Sequence, residues 1–462
     1  MIVAGRYEKR NPFRPDEVTG EYPEHGHGDV DGAVAAADAA FAAWAATPAA
    51  RRGEYLSAAA AILESRCEDV ARDLTAEVGK PVREARGEVS RAVQILRYAA
   101  GSAFRAVGEE FQQAAGGSVS TFRRPLGVVG LIAPWNFPMA IPAWKLAPAL
   151  MCGNTVVLKL AYESPGTGLH LRDAFVEAGL PAGVLNVLTG RGSTLGAALA
   201  RDPRVRAVSF TGSVGTGADV RDAVVGRGGR VQLELGGQNP LIVAEDADID
   251  RAVEATFAGA FWSAGQKCTA TRRVYIEETV YDQFKLRLLE RVAQGKVGDP
   301  ADPDTEVGPL VNESQFEEVL AAIERGREEG GTVVAGGGAT GDGYVVEPTV
   351  FEGVGDDAYL SCNEVFGPVT ALYPCLGRDD AFARANATGF GLSAGIFTSS
   401  LATALRFKRE AQAGILHVNS QTAGADVHVP FGGIKDSGFG PHEQGQSAVE
   451  FYSDTITVYV DP

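Results

Sequence analysis

Cys268 stands in the run Ser263-Ala264-Gly265-Gln266-Lys267-Cys268-Thr269-Ala270-Thr271, a short way after Glu234-Leu235-Gly236-Gly237. A thiolate is a strong nucleophile, and a positioned carboxylate can take a thiol proton or activate a water. Each framed by glycine, the two suit covalent oxidation of a carbonyl compound. Lys267 adds a charge that would favour the thiolate. Cys67, Cys152, Cys362 and Cys375 have no such surroundings and read as small buried hydrophobes. Five cysteines is an odd number without metal-type spacing, so neither a disulfide framework nor a metal site is expected. That usage fits a reducing cytosol, and a cytoplasmic enzyme is the expectation.

Those residues need a large scaffold. A chain of 462 residues exceeds what one hydrophobic core usually organises, and 45% apolar with 22% charged residues is an ordinary globular balance. The net charge of −17, from 59 acidic and 42 basic residues without a basic run, argues against a nucleic-acid partner. The start, Met1 to Arg10, has no apolar core of the signal-peptide kind. In the most hydrophobic stretch, Leu126 to Leu160, Pro134, Pro138, Pro142 and Pro148 would break a spanning helix, so buried strand, loop and helix are predicted there, and no membrane.

Asp31 to Trp44, Ala50 to Glu77 and Val82 to Ala106 carry apolar residues at helical spacing and predict three amphipathic helices. From Leu126 the character changes. Short β-branched runs at 127–132, 155–158, 184–188 and 207–210 alternate with helical segments, predicting a mostly parallel sheet covered on both faces. A second βα region begins at Asn239-Pro240-Leu241-Ile242-Val243. The tail from Ala448 to Val460 alternates like a half-buried strand that completes a neighbouring subunit's sheet.

Further ordered motifs accompany the thiol and the carboxylate: Pro134-Trp135-Asn136-Phe137-Pro138, Gly153-Asn154-Thr155-Val156-Val157-Leu158-Lys159, Phe210-Thr211-Gly212-Ser213, Glu364-Val365-Phe366-Gly367-Pro368 and Pro430-Phe431-Gly432-Gly433-Ile434-Lys435. With Glu234-Leu235-Gly236-Gly237 and Gly265-Gln266-Lys267-Cys268, this set resembles the aldehyde dehydrogenase superfamily over most of the chain. The resemblance implies an α/β fold with three parts. A Rossmann-type dinucleotide-binding domain would span 1–106 and 125–236, an α/β catalytic domain 237–447, and a small β oligomerisation arm 107–124 with 448–462. A homodimer or homotetramer follows.

It also implies roles. Cys268 would form a thiohemiacetal and then a thioester with the aldehyde, giving its hydride to NAD or NADP. Asn136 and the Cys268 backbone N–H would hold the oxyanion, where losing one donor typically costs ~10²–10³ in rate. Glu234 would activate the water that releases the acid, which places the chain in the hydrolytic branch and not among members that acylate coenzyme A. Lys145 matches a lysine near that amide and carboxylate, against the plainer reading of a solvated helix lysine. Trp135, Lys159, Gly212, Ser213, Gly236, Glu364 and Phe366 would line the cofactor, with Lys159 at the adenosine ribose and Glu364 and Phe366 at the nicotinamide side. Neither Gly190-Arg191-Gly192-Ser193-Thr194-Leu195-Gly196 nor Gly212-Ser213-Val214-Gly215-Thr216-Gly217 has the G-x-G-x-x-G spacing.

One departure bears on the cofactor. Where the family commonly has lysine-proline-alanine-glutamate, this chain has Lys159-Leu160-Ala161-Tyr162. Without that carboxylate a 2′-phosphate meets less repulsion, so NADP is expected to be accepted. Glu163 follows, but on a regular strand it would face the other way.

For the substrate, Gly265 to Thr271 and Pro441-His442-Glu443-Gln444-Gly445 are similar to strings in 2-oxoglutarate semialdehyde (2,5-dioxopentanoate) dehydrogenases. Phe137, Met139, Trp144, Phe261 and Trp262 would equally line a pocket for an aromatic or aliphatic aldehyde, or simply pack in the core. Two other classes stand beside the dehydrogenase: a redox-silent cysteine thioesterase or acyltransferase, and a non-catalytic binding protein that keeps the fold.

Overall fold

A computed structural model describes residues 5–105, 108–114 and 116–461. Met1 to Ala4, the boundary drawn at 106 and 107, and Pro462 lie outside them. The first sheet has six strands in the order Gly438–Phe439, Arg230–Glu234, Val205–Thr211, Val128–Ile132, Thr155–Lys159, Leu185–Leu188. All neighbours run parallel except the two-residue strand at the edge. Val128–Ile132 and Thr155–Lys159 are buried along their whole length, as strands covered on both faces must be.

Strand order determines where a site can form. From Val128–Ile132 the chain winds outward to one side through Thr155–Lys159 and Leu185–Leu188. It then returns to the other side of the starting strand through Val205–Thr211 and Arg230–Glu234. Such a reversal opens a crevice beyond the carboxyl ends of the strands. Trp135 and Asn136 follow Ile132, Gly212 and Ser213 follow Thr211, and Glu234 closes its own strand.

A second sheet has seven strands: Thr332–Ala335, Thr349–Glu352, Val369–Cys375, Thr271–Glu277, Asn239–Val243, Ser393–Phe397, Ile415–Val418. Only the first pair is antiparallel. This sheet contributes its opposite ends: Cys268 lies just before Thr271, and Glu364 and Phe366 lie just before Val369. The strand Gly438–Phe439, although late in the chain, joins the first sheet and not the second.

The N-terminal region forms four helices where three were predicted: His27–Ala46, Ala49–Ser65, Cys67–Val78 and Val82–Gly101. The second expected helix breaks at Arg66, which leaves helical geometry (φ −108°, ψ 13°) as its guanidinium reaches Glu177 at 2.5 Å. Trp44, Leu56, Leu63, Leu74 and Leu96 pack this layer on the first sheet. Leu126 to Leu160 is strand, loop and the helix Ala140–Met151, as predicted. Among the described residues no single helix is long and apolar enough to cross a membrane, and the first two pass together only as a pair bent by 118°.

The tail differs from the expected single strand. Gly445–Phe451 is helical, and the strand begins at Ser453. Ser453–Val460 pairs along its length with Ser118–Pro125 of its own chain, which also pairs with Glu110–Gln112. Arg230 fastens the tail by donating to the carbonyls of Phe451 (2.8 Å) and Ser453 (3.1 Å) and to Asp454 (2.5 Å).

Candidate active site

The turn before Cys268 is under backbone strain. Ser263 and Ala264 have φ of 57° and 52°, and Gly265 follows at 68°, so three successive residues are left-handed. For non-glycine residues that conformation costs roughly 1–2 kcal/mol each. The surroundings hold it in place. Glu84 accepts from the Ser263 N–H (2.9 Å) and hydroxyl (2.6 Å). Arg272, fully buried, donates to the Gly265 carbonyl at 2.5 Å and to the Gly367 carbonyl at 2.5 Å. One guanidinium therefore ties the Cys268 turn to the segment carrying Glu364 and Phe366.

Cys268 itself is half-buried. Burial, then Glu364 and Glu234, push its thiol up to about 12, while the N–H groups of Cys268 and Thr269 near the sulfur pull the other way. The Lys267 ammonium donates to the Ala258 carbonyl at 2.7 Å, and burial brings it down to about 8, with Cys268 among the groups that act against that shift.

Asn136 is buried and its Nδ2 donates to the Gln266 carbonyl at 3.0 Å. An amide nitrogen has two hydrogens, so one remains for an oxyanion. Its backbone carbonyl accepts from Lys80 at 2.8 Å, and Lys80 is ion-paired with the buried Glu88. Glu88 in turn accepts from the N–H groups of Met139 (2.8 Å) and Ala140 (3.1 Å). The Asn136 loop is thus clamped from below by a pair that carries no sequence motif.

Glu234 is buried, and one of its oxygens has no partner among the described residues. Burial first, then the neighbouring Glu443, hold its carboxyl well above the usual range; Lys145 and the Gly433 N–H oppose them. Lys145 is not a solvated lysine. It is fully buried, ion-paired with Glu443, and donates to the Ser209 hydroxyl at 2.8 Å. Two buried carboxyls, Glu234 and Glu443, thus share one ammonium. Glu443 lies in the string noted for its likeness to one subfamily, but nothing in the sequence pairs it with a lysine 298 positions away.

The cofactor candidates line the same crevice. Ser213 caps the helix Val214–Val225, its hydroxyl accepting from the Thr216 N–H at 3.4 Å. Gly212 N–H donates to the backbone carbonyl of Glu234 at 3.1 Å. Glu364 accepts from the Gly237 N–H at 2.9 Å and is raised to about 7 by burial. Trp135 meets Phe366 edge to face at 5.4 Å. Lys159 is buried and lowered to about 8 by desolvation, which Glu163 offsets. Tyr162 lies beyond the end of the strand, so strand alternation does not govern Glu163. The Tyr162 ring stacks on Tyr7 at 4.2 Å, with the Arg191 guanidinium 5.0 Å and the Lys9 ammonium 5.7 Å from it. A basic, aromatic seat stands where a carboxylate was absent from the sequence.

The aromatic and aliphatic pocket candidates divide. Met139 and Phe261 are fully buried in the core, whereas Phe137, Trp144 and Trp262 keep some exposure. Cys375 is buried, Cys67 and Cys152 are half-buried, and Cys362 is exposed, against the expectation of a buried hydrophobe. A cavity of about 580 Å³ is lined by Tyr98, Trp144 and Cys152 together with Thr121 and Thr455 of the arm, and includes none of Cys268, Glu234 or Asn136.

A thiol, a proton-holding carboxyl, an amide donor and a phosphate-compatible helix end around one crevice can add a sulfur to a carbonyl, hold the oxyanion and later activate a water. Comparisons agree with that chemistry. The model of the aldehyde dehydrogenase family matches residues 3–458. The alpha-ketoglutaric semialdehyde dehydrogenase of Bacillus subtilis is 43% identical, covering 98% of this chain and 94% of its own. The 2,5-dioxopentanoate dehydrogenase of Saccharolobus solfataricus is 41% identical, covering 97% and 95%. Among solved structures, an NADP-dependent enzyme of E. coli superposes with a TM-score of 0.96 at 34% identity, covering 99% and 95%. The NAD+ complex of an aldehyde dehydrogenase of Bacillus cereus does so at 0.96 and 35%, covering 99% and 93%.

Proposed function

This chain belongs to the aldehyde dehydrogenase family and is an NAD(P)-dependent oxidoreductase acting on aldehydes, and from that premise we propose that its substrate is a semialdehyde, 2-oxoglutarate semialdehyde or a close analogue. The relatives named for that substrate support this reading, since they match nearly the full length at 41–43% identity. The aromatic or aliphatic alternative has less behind it, because Met139 and Phe261 do not line the crevice.

The mechanism follows from the residues. Cys268 loses its proton as its sulfur bonds to the aldehyde carbon, and Glu234, or a water it holds, receives that proton. The carbonyl oxygen becomes an oxyanion between the free Asn136 N–H and the Cys268 backbone N–H. A nicotinamide held by Trp135, Gly236, Glu364 and Phe366 would supply the two-electron acceptor for the hydrogen on that carbon, and Cys268 would then carry the acyl group as a thioester. Glu234, having passed the thiol's proton on to solvent water, then takes a proton from the attacking water. The C–S bond breaks, the acid departs and the sulfur leaves as thiolate. Lys145 and Glu443 stabilise whichever proton state Glu234 adopts. In this reading Trp135, Gly236, Glu364 and Phe366 hold the nicotinamide side, Gly212 and Ser213 the pyrophosphate at a helix N-terminus, and Lys159 and Tyr162 the adenosine ribose.

NADP is accepted in this reading, on the observation that Tyr162 lies between Arg191 and Lys9 with no carboxylate of the family kind. The six-stranded sheet serves the cofactor, the seven-stranded sheet carries the nucleophile, and the arm joins subunits into a dimer or tetramer. Supporting the last point, among the described residues Ser453–Val460 has a partner on one edge alone, with Tyr459 67% and Val460 56% exposed. The test is formation of reduced cofactor from a panel of aldehydes with NAD and NADP, against Cys268→Ala. Saturable turnover of the semialdehyde, abolished in C268A, is expected; ester hydrolysis without nicotinamide reduction would overturn the reading in favour of a thioesterase.

A further inference from the structure

An aldehyde that also bears a carboxylate needs a cation near the site that is not already neutralised. The helix Val82–Gly101 offers one. Its Glu84 holds the turn before Cys268 and its Glu88 holds the Asn136 loop, so the face on which positions 84, 88 and 91 succeed one another runs along the site. The other arginines near them are engaged elsewhere. Arg86 pairs with Glu68 at 2.9 Å, Arg97 pairs with Glu64 at 2.5 Å, and Arg83 lies over the Trp262 ring. Arg91 differs: among the described residues no carboxylate lies within ion-pair distance, and Asp426 acts on it only from farther away.

What Arg91 does meet is Gln444, whose Oε1 accepts from its guanidinium at 3.3 Å. Gln444 is buried, has a left-handed φ of 62°, and leaves its Nε2 without a partner. A non-glycine residue in that conformation with an unpaired buried donor is costly on both counts. Its neighbour Glu443 is the group paired with Lys145 beside Glu234. A charged donor and an amide donor whose Nε2 is unmet are therefore joined at the residue that follows Glu443, the carboxylate acting on Glu234.

We propose that Arg91, together with the Gln444 amide, receives the remote carboxylate of the aldehyde substrate and sets the preference for acid-bearing aldehydes. This rests on the semialdehyde reading and adds the residue that enforces it. A carboxylate presents two oxygens, enough to accept from the guanidinium and from Nε2 at once. Arg91 is a specificity residue and takes no part in bond making.

The experiment compares kcat/KM for glutarate semialdehyde and for pentanal, which share a carbon count, in the wild type, Arg91→Met and Arg91→Lys. Wild type favours the semialdehyde. R91M lowers the ratio about 10- to 100-fold, as loss of a charge-assisted hydrogen-bond pair does, chiefly through KM, and R91K recovers part of it. The inhibition constant of glutarate, a binding measure free of turnover, rises in parallel. A wild type that strongly prefers the semialdehyde, with R91M retaining that ratio, overturns the assignment of Arg91 and leaves the substrate reading intact. A wild type without preference overturns the substrate reading itself. Should R91M not fold, R91K and Gln444→Met decide, since each must lower the ratio.

Discussion

Gly237 lies so close to Cys268 that a Cβ at this glycine would sit 2.5 Å from the cysteine's carbonyl oxygen. The preceding glycine is equally constrained, since a Cβ on Gly236 would meet a Glu364 oxygen at 2.3 Å. Two bare positions after Glu234 thus let the nucleophile's backbone and a cofactor-side carboxylate approach the same strand end. Gly237→Ala must push the Cys268 carbonyl away and loosen its hydrogen bond from Asn239, now 2.8 Å. A displacement of that order costs ~10²-fold in kcat. Steady-state rates with an unchanged circular-dichroism spectrum would show it; a G237A enzyme with wild-type kcat would contradict the packing argument.

The raised Glu234 carboxyl predicts how rate and stability respond to pH. Because burial and Glu443 hold its proton on, the basic form grows as pH rises, and the hydrolytic step should accelerate with it. Glu234→Gln flattens that rise and slows steady turnover by ~10²–10⁴, while a first burst of reduced nicotinamide, one equivalent per subunit, survives. Stability runs the opposite way. A carboxyl whose pKa is higher folded than unfolded favours the fold below its unfolded value, and that support is lost as pH rises through the folded one. The melting temperature of wild type should therefore fall more steeply than that of E234Q as pH rises above the ordinary carboxylate range; parallel curves would mean that the carboxyl is not perturbed.

Much of this site is legible in the sequence because its motifs are local. Trp135-Asn136 and Gly212-Ser213 each follow a strand whose apolar run marks it, at the reversal of strand order, whereas Glu234 ends Arg230–Glu234, a strand that no apolar run announces. The supports are not local. Lys145 reaches Glu443 from 298 positions away and Lys80 reaches the Asn136 carbonyl from 56, so no spacing reveals either. Lys267 is singled out by adjacency to Cys268, but its hydrogen bond to the Ala258 carbonyl, nine positions away, carries no sequence signal. The break at Arg66 and the helix before Ser453 escaped because apolar residues continue through both, and a periodic pattern by itself does not mark its own interruption.

The clamp beneath Asn136 can be tested apart from the chemistry. Lys80 and Glu88 are both almost wholly buried, so Lys80→Met leaves a carboxylate without its partner, and breaking a buried pair in this way typically costs ~3–5 kcal/mol. Urea unfolding should register that loss. The double variant K80M/E88Q removes the stranded charge and should regain much of the stability but not the activity, because the Asn136 carbonyl still lacks its ammonium donor. Full recovery of kcat in the double variant would show that the clamp does not position the amide.

On the proposed reading, cofactor choice depends on charge around Tyr162. Arg191 and Lys9 flank its ring, and the ion pair of Arg191 with Glu24 (3.2 Å) lies at the surface, where such pairs are worth ~0–1 kcal/mol and can be exchanged for a phosphate. Tyr162→Glu restores a carboxylate at the ribose. Even in water, like unit charges ~4 Å apart repel by about 1 kcal/mol, which for a doubly charged 2′-phosphate amounts to roughly tenfold or more in Kd. Y162E should therefore weaken NADP while NAD, free to bond the new carboxylate through its ribose hydroxyls, holds or tightens. Arg191→Ala should weaken NADP alone. Calorimetry with 2′,5′-ADP and with 5′-AMP isolates the phosphate from the rest of the cofactor and requires no turnover. Equal binding of the two probes by the wild type would remove the basis for a 2′-phosphate seat at Tyr162.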